Sequence, residues 1–406
     1  MPAAGTGEWP FHGLDIPALA AGGWRPVPFS EFVLKIHGRC NLACDYCYVY
    51  EGADQSWRDR PAAMPDAVLD AAAARVAEHA RAHALTRVAV VLHGGEPLLA
   101  GRAAVAAAVA RFRAAMPPSC EVEAGVQTNG VLLTDAMLAM LDEHDVGVSV
   151  SLDGDREGHD RHRLRANGRG SHAEVMRGLN RLAGSYRRLY RGLLCTVDLG
   201  NDPIRTYEAL LETGPPRIDF LLPHGTWTAP PPRRPVDGGG TPYADWLIAV
   251  FDRWYGAPRK ETGVRLFEEI MNVLLGGQSR SENVGLSPVA MLVVDTDGTL
   301  QQVDSLKTSY AGAPETGLTV FDHPLDDALW HPGVVARQIG RAALPGTCAA
   351  CAVRDVCGGG AYAHRYRTGR GYLNPSVYCP DLKKLIGHIG RTVQRDLALA
   401  GPAAGR

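Results

Sequence analysis

No run of apolar residues in this 406-residue chain approaches the length of a membrane span. The first thirty residues also lack the basic stretch and apolar core of a secretory signal. Neither sign of charge prevails: the formal net charge is −2, which gives no whole-protein attraction to nucleic acid or to an anionic membrane. The basic stretch from Arg156 to Arg169 reads as a solvated face. Cysteine is sparse, nine in all, and bunched rather than spread, which argues against a secreted disulfide framework. With 46% hydrophobic and 21% charged residues, what remains is an ordinary globular protein, expected in a cytoplasmic, reducing environment with neither nucleic acid nor membrane as partner. Its length exceeds the size at which single cores usually split, so two domains are expected.

What is present starts with three cysteines. An apolar run, Phe32 to Ile36, reads as a buried strand and leads into a loop carrying Cys40, Cys44 and Cys47. The C-x3-C-x2-C spacing brings three thiolates to one side of a tight loop. Structural zinc asks for a closed tetrahedron, and no fourth partner stands nearby. A 4Fe-4S cluster with one iron left open for a small molecule suits the set better. Far downstream, Cys348-Ala-Ala-Cys351 is followed by Cys357 and, much later, by Cys379. That spacing marks a second metal site, which on spacing alone is compatible with four-cysteine zinc. Cys120 and Cys195 stand apart from both groups and read as buried small hydrophobes.

From Glu31 a strand–helix alternation repeats about six times, with strands expected at Phe32–Ile36, Arg87–Leu92, Val122–Gln127, Gly147–Leu152, Gly192–Val197 and Ile218–Leu222. Helices are expected between them, for example over Pro65–Ala84 and Thr134–His144. This alternation implies an α/β fold with parallel pairing and right-handed crossovers, and six units rather than eight give an open, partial barrel. Ligands of such sheets sit at the carboxyl ends of the strands. There the chain places His93-Gly94-Gly95-Glu96-Pro97, Gln127-Thr-Asn129-Gly130 and Ser151-Leu-Asp153-Gly154. The two glycines allow close backbone approach to a ligand, and Glu96 can accept hydrogen bonds from an ammonium group.

On these motifs the chain resembles the radical S-adenosylmethionine (SAM) enzymes, with Tyr46 as the aromatic before the third cysteine. The resemblance implies that the open iron is chelated by SAM. It also implies that one-electron reduction cleaves SAM to a 5′-deoxyadenosyl radical, which abstracts a hydrogen atom. It places Tyr46, Gly94, Gly95, Glu96, Gln127, Asn129, Ser151, Asp153 and Arg163 around SAM, with Glu96 on the amino group and Arg163 on the carboxylate. Arg161 and Arg165 compete for that last role.

The downstream cysteines resemble the SPASM extension, whose fuller pattern has seven cysteines for two auxiliary clusters. Val303 and Ala361 stand where two of the missing cysteines would be. Cys348, Cys351, Cys357 and Cys379 then match the outer cluster alone, giving two 4Fe-4S clusters in the whole chain. The expected layout is an irregular arm over 1–30, a partial (β/α)6 TIM-like radical SAM barrel over 31–235 and a helical linker over 236–287. A SPASM-like auxiliary cluster domain over 288–384 and a C-terminal helix and tail over 385–406 complete it. Thirty residues are too few for a leader-recognition domain.

Longer stretches, among them Phe220-Leu-Leu-Pro-His-Gly, Gln302-Val-Asp304-Ser-Leu-Lys307 and Asn374-Pro-Ser-Val-Tyr-Cys379, resemble the FxsB-type branch, which modifies short ribosomal peptides. That branch implies a cyclophane, a bond between an aromatic ring carbon and the β-carbon of a nearby residue. It also implies a ribosomally made precursor peptide as substrate and an electron donor such as flavodoxin or ferredoxin. Thioether formation and sulfatase-type side-chain oxidation share the same architecture. A non-catalytic zinc protein that binds peptides is the reading outside enzymes. Asp304 is the expected acceptor of the substrate proton, with Asp219 and His224 as the other candidates.

Overall fold

The computed structural model describes residues 7–234 and 239–400. The expected barrel–linker boundary at 235/236, the start of the arm and the end of the tail fall outside them. Among the described residues, ten strands form one sheet: β1 (Glu31–His37), β2 (Arg87–Gly94), β3 (Glu121–Thr128), β4 (Gly147–Ser151), β5 (Tyr190–Thr196), β6 (Arg217–Leu221), β7 (Gly263–Val264), β8 (Met291–Val294), β9 (Thr299–Gln301) and β10 (Glu315–Thr319). Their order is β10-β9-β8-β1-β2-β3-β4-β5-β6-β7, so the sheet does not close on itself. Every neighbour pair from β1 to β7 is parallel. All six strands expected from the alternation are present, joined by helices such as Asp66–Ala82, Arg102–Ala115 and Asp135–Glu143.

The helices dock through narrow apolar stripes. Asp66–Ala82 buries Val68, Leu69, Ala72, Ala73, Val76, Ala77 and Ala80, a run at helical spacing whose alanines permit close approach to the strands. Facing them are Phe32, Leu34, Leu92, Val126 and Val148, all fully or nearly fully buried, each contributing about 1.5–3 kcal/mol by leaving water. Cys195 on β5 and Cys120 lie in this same core.

Two features lay beyond the sequence pattern. β7 is only two residues long and extends the far edge of the sheet, pairing Arg217 with Gly263 and Ile218 with Val264. On the other side, β8 pairs in parallel with β1; the β8–β9 hairpin itself, with Asp295–Gly298 at its turn, is what the residues from Met291 to Asp304 lead one to expect, and Gly298 donates to the Asp295 carbonyl at 2.9 Å. The C-terminal third thus begins as an extension of the barrel sheet. The N-terminal arm holds one short helix, Ile16–Ala21, and is tied down beyond it, with Val27 bonded through both backbone groups to the Gln338 side chain at 2.8 and 3.0 Å.

Candidate active site

At the end of β1 the chain turns into the cysteine loop, and the end of β2 holds that loop in place. Gly95 N–H donates to the His37 carbonyl at 2.9 Å and Glu96 N–H to that of Arg39 at 3.0 Å. Gly94 has φ +137°, and a Cβ there would strike the His37 carbonyl, while one on Gly95 would strike the Tyr50 hydroxyl and Arg39. These glycines thus permit close packing against the end of β1 and the start of the cysteine loop.

Glu96 is fully buried. Its carboxylate accepts from Asn129 N–H at 2.8 Å, Thr128 Oγ1 at 2.8 Å and Leu98 N–H at 3.0 Å. Burial pushes its pKa up to about 7 against these three donors. Asn129 reaches the cysteine loop as well, its Nδ2 lying 2.7 Å from Asn41 Oδ1 and 3.7 Å from Cys40 Sγ. Gln127 and Ser151, on the adjacent ends of β3 and β4, are joined at 3.1 Å.

Each of the three candidate arginines is paired with a carboxylate. Arg161 is engaged with Asp198 at 2.6 Å and Arg165 with Glu174 at 2.5 Å. Arg163 instead bonds Asp153 at 2.8 Å and lies over the Tyr46 ring, 5.5 Å from its centroid. Tyr46 also donates its hydroxyl to Asp153, and Thr196 N–H donates there at 2.9 Å. Burial opposes ionisation of Asp153, but Arg163 holds its carboxyl below the usual range. Burial raises the Cys44 thiol to about 12 and the Cys40 thiol to about 11, with Arg163 pulling Cys44 the other way.

Each cysteine group gathers its thiols in one place. Cys40, Cys44 and Cys47 lie close enough to act on one another's charge, and so do Cys348, Cys351, Cys357 and Cys379. None of the nine cysteines forms a disulfide. A single zinc ion would draw its sulfurs to about 3.8 Å from one another. Among the described residues, only His79, His83 and Asp326 bring three His, Cys, Asp or Glu donors all within 4.8 Å. Both thiol sets are spread wider than one ion requires, as suits a cluster that distributes its ligands over several irons. Behind Cys357, Gly358, Gly359 and Gly360 all take positive φ, and Arg365 clamps this turn through the carbonyls of Gly358 (2.5 Å) and Gly360 (2.9 Å).

Asp304 opens a short 3-10 turn just after β9 and is 9% exposed in its side chain. Lys35 Nζ approaches its Oδ1 to 2.5 Å, and His93 Nδ1 lies 4.0 Å from its Oδ2. Asp304 Oδ2 has no hydrogen-bond partner among the described residues. Lys35 and His93 are register partners on β1 and β2. Burial opposes the Lys35 charge, yet Asp304 and Asp295, the latter at 3.1 Å, hold its pKa above the ordinary value. Sequence reasoning missed Lys35, although a lysine inside an otherwise apolar strand was the available signal. His224, named as an alternative to Asp304, stacks edge-on with Tyr48 at 4.6 Å and lies 5.5 Å from His364. Burial takes the His224 pKa down to about 4. Asp219, the other alternative, faces Arg265 at 3.5 Å. Among the described residues, buried nitrogens of His93, His224 and His364 have no hydrogen-bond partner, so this inner surface is lined by unsatisfied polar groups.

Residues 34–212 match the family model described as the Radical SAM superfamily. The chain is 26% identical over 370 residues to a serine-type anaerobic sulfatase-maturating enzyme of Klebsiella aerogenes, spanning 89% of this chain and 86% of the relative. A cysteine-type anaerobic sulfatase-maturating enzyme of Clostridium perfringens is 24% identical over 286 residues, 68% of this chain and 74% of its own length. Among solved structures, native anSMEcpe with bound AdoMet superposes with a TM-score of 0.77 at 20% identity, covering 90% of this chain and 98% of the other. Streptococcus suis SuiB bound to precursor peptide SuiA gives a TM-score of 0.57 at 13% identity over 89% and 78%. Residues 34–212 are therefore a radical SAM domain, and the protein is an enzyme of redox radical chemistry that uses SAM and 4Fe-4S.

Proposed function

We propose that the protein modifies a ribosomally made peptide by joining a side-chain β-carbon to an aromatic ring carbon, with Asp304 as the proton acceptor. The observation that carries this reading is the Asp304 carboxylate. It is buried at the ends of β1 and β2, its Oδ1 paired with Lys35 and its Oδ2 without a hydrogen-bond partner among the described residues. Cys40, Cys44 and Cys47 are the residues that would hold the SAM-binding cluster, and Glu96, Asn129, Asp153 and Arg163 surround them. When bound, SAM and its cluster supply the radical that removes the β-hydrogen. The carbon radical then adds to the ring, and the adduct loses one electron and one proton to restore aromaticity. The substrate thus loses two hydrogens in total. Lys35 fixes the carboxylate and leaves its second oxygen toward the His93 side, where it can take the ring proton.

Cys348, Cys351, Cys357 and Cys379 would hold one auxiliary cluster to take the electron, with an external donor such as flavodoxin or ferredoxin completing the cycle. Support for a single auxiliary cluster comes from Val303. It sits in a small apolar core with Leu306, Tyr362, Tyr366 and Tyr372, in which Tyr362 and Tyr372 stack at 4.5 Å. Aromatic packing occupies the surroundings of the position where the fuller pattern has a cysteine.

The likeness to sulfatase-maturating enzymes over 370 residues favours a second reading, oxidation of a side chain on a protein substrate. Both reactions on a serine or aromatic-containing peptide remove two hydrogens, so intact mass does not separate them. Tandem mass spectrometry does: a crosslink suppresses backbone fragments between the joined residues, whereas an aldehyde fragments normally and reacts with a hydrazide. A hydrazide-reactive, fully fragmenting product would overturn the crosslink reading.

A further inference from the structure

Away from the active site, two histidines and an aspartate meet at the opposite, amino-terminal edge of the sheet. His79 lies in the last turn of helix Asp66–Ala82 and His83 follows the helix directly, so both project from one side of its end. Asp326, in the short helix Leu325–Leu329 beyond β10, comes to meet them. His79 Nδ1 is 2.5 Å from Asp326 Oδ1, and His83 Nε2 is 3.0 Å from Oδ2.

The tautomers decide what this arrangement holds. His79 Nε2 lies 3.2 Å from the Phe29 carbonyl, a pure acceptor, so in a neutral ring the hydrogen belongs on Nε2. Nδ1 then turns a lone pair toward a carboxylate, and two acceptors stand face to face. A second proton on the ring or a cation between them removes the conflict, and the cation also accounts for His83 on the other carboxylate oxygen. A ligating histidine whose other N–H is fixed by a backbone carbonyl is the usual outer support of a metal site. The His79 side chain is 1% exposed, whereas His83 and Asp326 are 26% and 43% exposed, which leaves an open side for an ion and a water.

We propose that His79, His83 and Asp326 bind one Zn²⁺, with water as fourth ligand, and that the ion ties the barrel helix to the segment after β10. Imidazole and carboxylate ligands suit zinc, at about 2.0–2.2 Å from each donor atom. Adjacent ligands of such an ion stand about 3.4 Å apart, so the side chains need only rotate slightly outward from their present separations. The site is remote from the cysteines and its role is stability.

The test uses the full chain with its clusters reconstituted anaerobically, so that no cluster thiol is free. Zinc content after dialysis against micromolar Zn²⁺ should be one equivalent above that of Asp326→Asn and of His83→Gln, whose affinity should fall more than tenfold. Zinc should raise the melting temperature of the parent and of neither variant. The two variants change partly exposed residues, so they are expected to fold with unaltered iron content. Equal zinc uptake by parent and variants, or no uptake by the parent, would overturn the proposal.

Discussion

The two cysteine groups solve different problems with the same side chain. Cys40, Cys44 and Cys47 sit on a loop pinned by the end of β2 and surrounded by polar groups held by one another: Glu96 by Asn129 and Thr128, Asp153 by Arg163 and Tyr46. Cys348 and Cys357 sit in short helical turns, with a glycine run behind Cys357 locked by Arg365, and Cys379 opens the long helix Cys379–Ala400. On the proposed reading, three ligands would leave a coordination position open and need a polar shell to position what enters it. Four ligands would close the set, and the loop would have only to hold its shape. The difference lies in the residues that are not cysteine.

Several substitutions would break this comparison or sharpen it. Replacing Cys40, Cys44 and Cys47 together with Ala should abolish 5′-deoxyadenosine production while leaving the downstream site loaded. Liquid chromatography of the anaerobic reaction and iron analysis of the same preparation check both halves. Undiminished 5′-deoxyadenosine would remove the functional distinction between the two groups.

The next largest effect is expected at Asp304. Asp304→Ala should keep both clusters and still cleave SAM, yet lose product by about 10²-fold or more, the usual contribution of a positioned base. Asp219→Ala should leave product formation near the parent rate, because its carboxylate is turned toward Arg265. Mass spectrometry of peptide incubated with each variant separates them, and product at the parent rate from Asp304→Ala would take that residue out of the mechanism.

A smaller, stoichiometric effect is expected downstream. Full reconstitution should give about eight irons per chain, and Cys357→Ala with Cys379→Ala should reduce this to about four. About twelve irons in the parent would mean that Val303 and its tyrosine neighbours do not exclude a second auxiliary cluster. Least of all should change at Cys195, which is fully buried on β5. Cys195→Ala should cost about 1–2 kcal/mol in chemical denaturation with no loss of iron.

Much of the site was legible because its signals are local. A cysteine spacing, a Gly-Gly-Glu-Pro turn and polar residues at strand ends all lie within a few positions of one another in the chain. The glycines show the limit of such signals: a turn motif cannot say whether the backbone approaches a ligand or, as with Gly94 and His37, another part of the chain. Arg163 could not be separated from Arg161 and Arg165 by spacing; what sets it apart is its place over Tyr46 of the cysteine loop, beside Asp153. Lys35 was passed over because its partners, Asp295 and Asp304, are some 260 positions away.

The sequence by itself determined the parallel strand–helix repeat and the two thiol groups, because hydrophobic period and ligand spacing are properties of neighbours along the chain. Tertiary structure alone decided that β8 lies beside β1, that β7 extends the far edge, and that Asp304 meets Lys35. It also brought His79 and His83 to Asp326. Each of these pairings depends on which distant segment completes a sheet edge or satisfies a buried charge. That choice is made by the whole fold, and no local pattern encodes it.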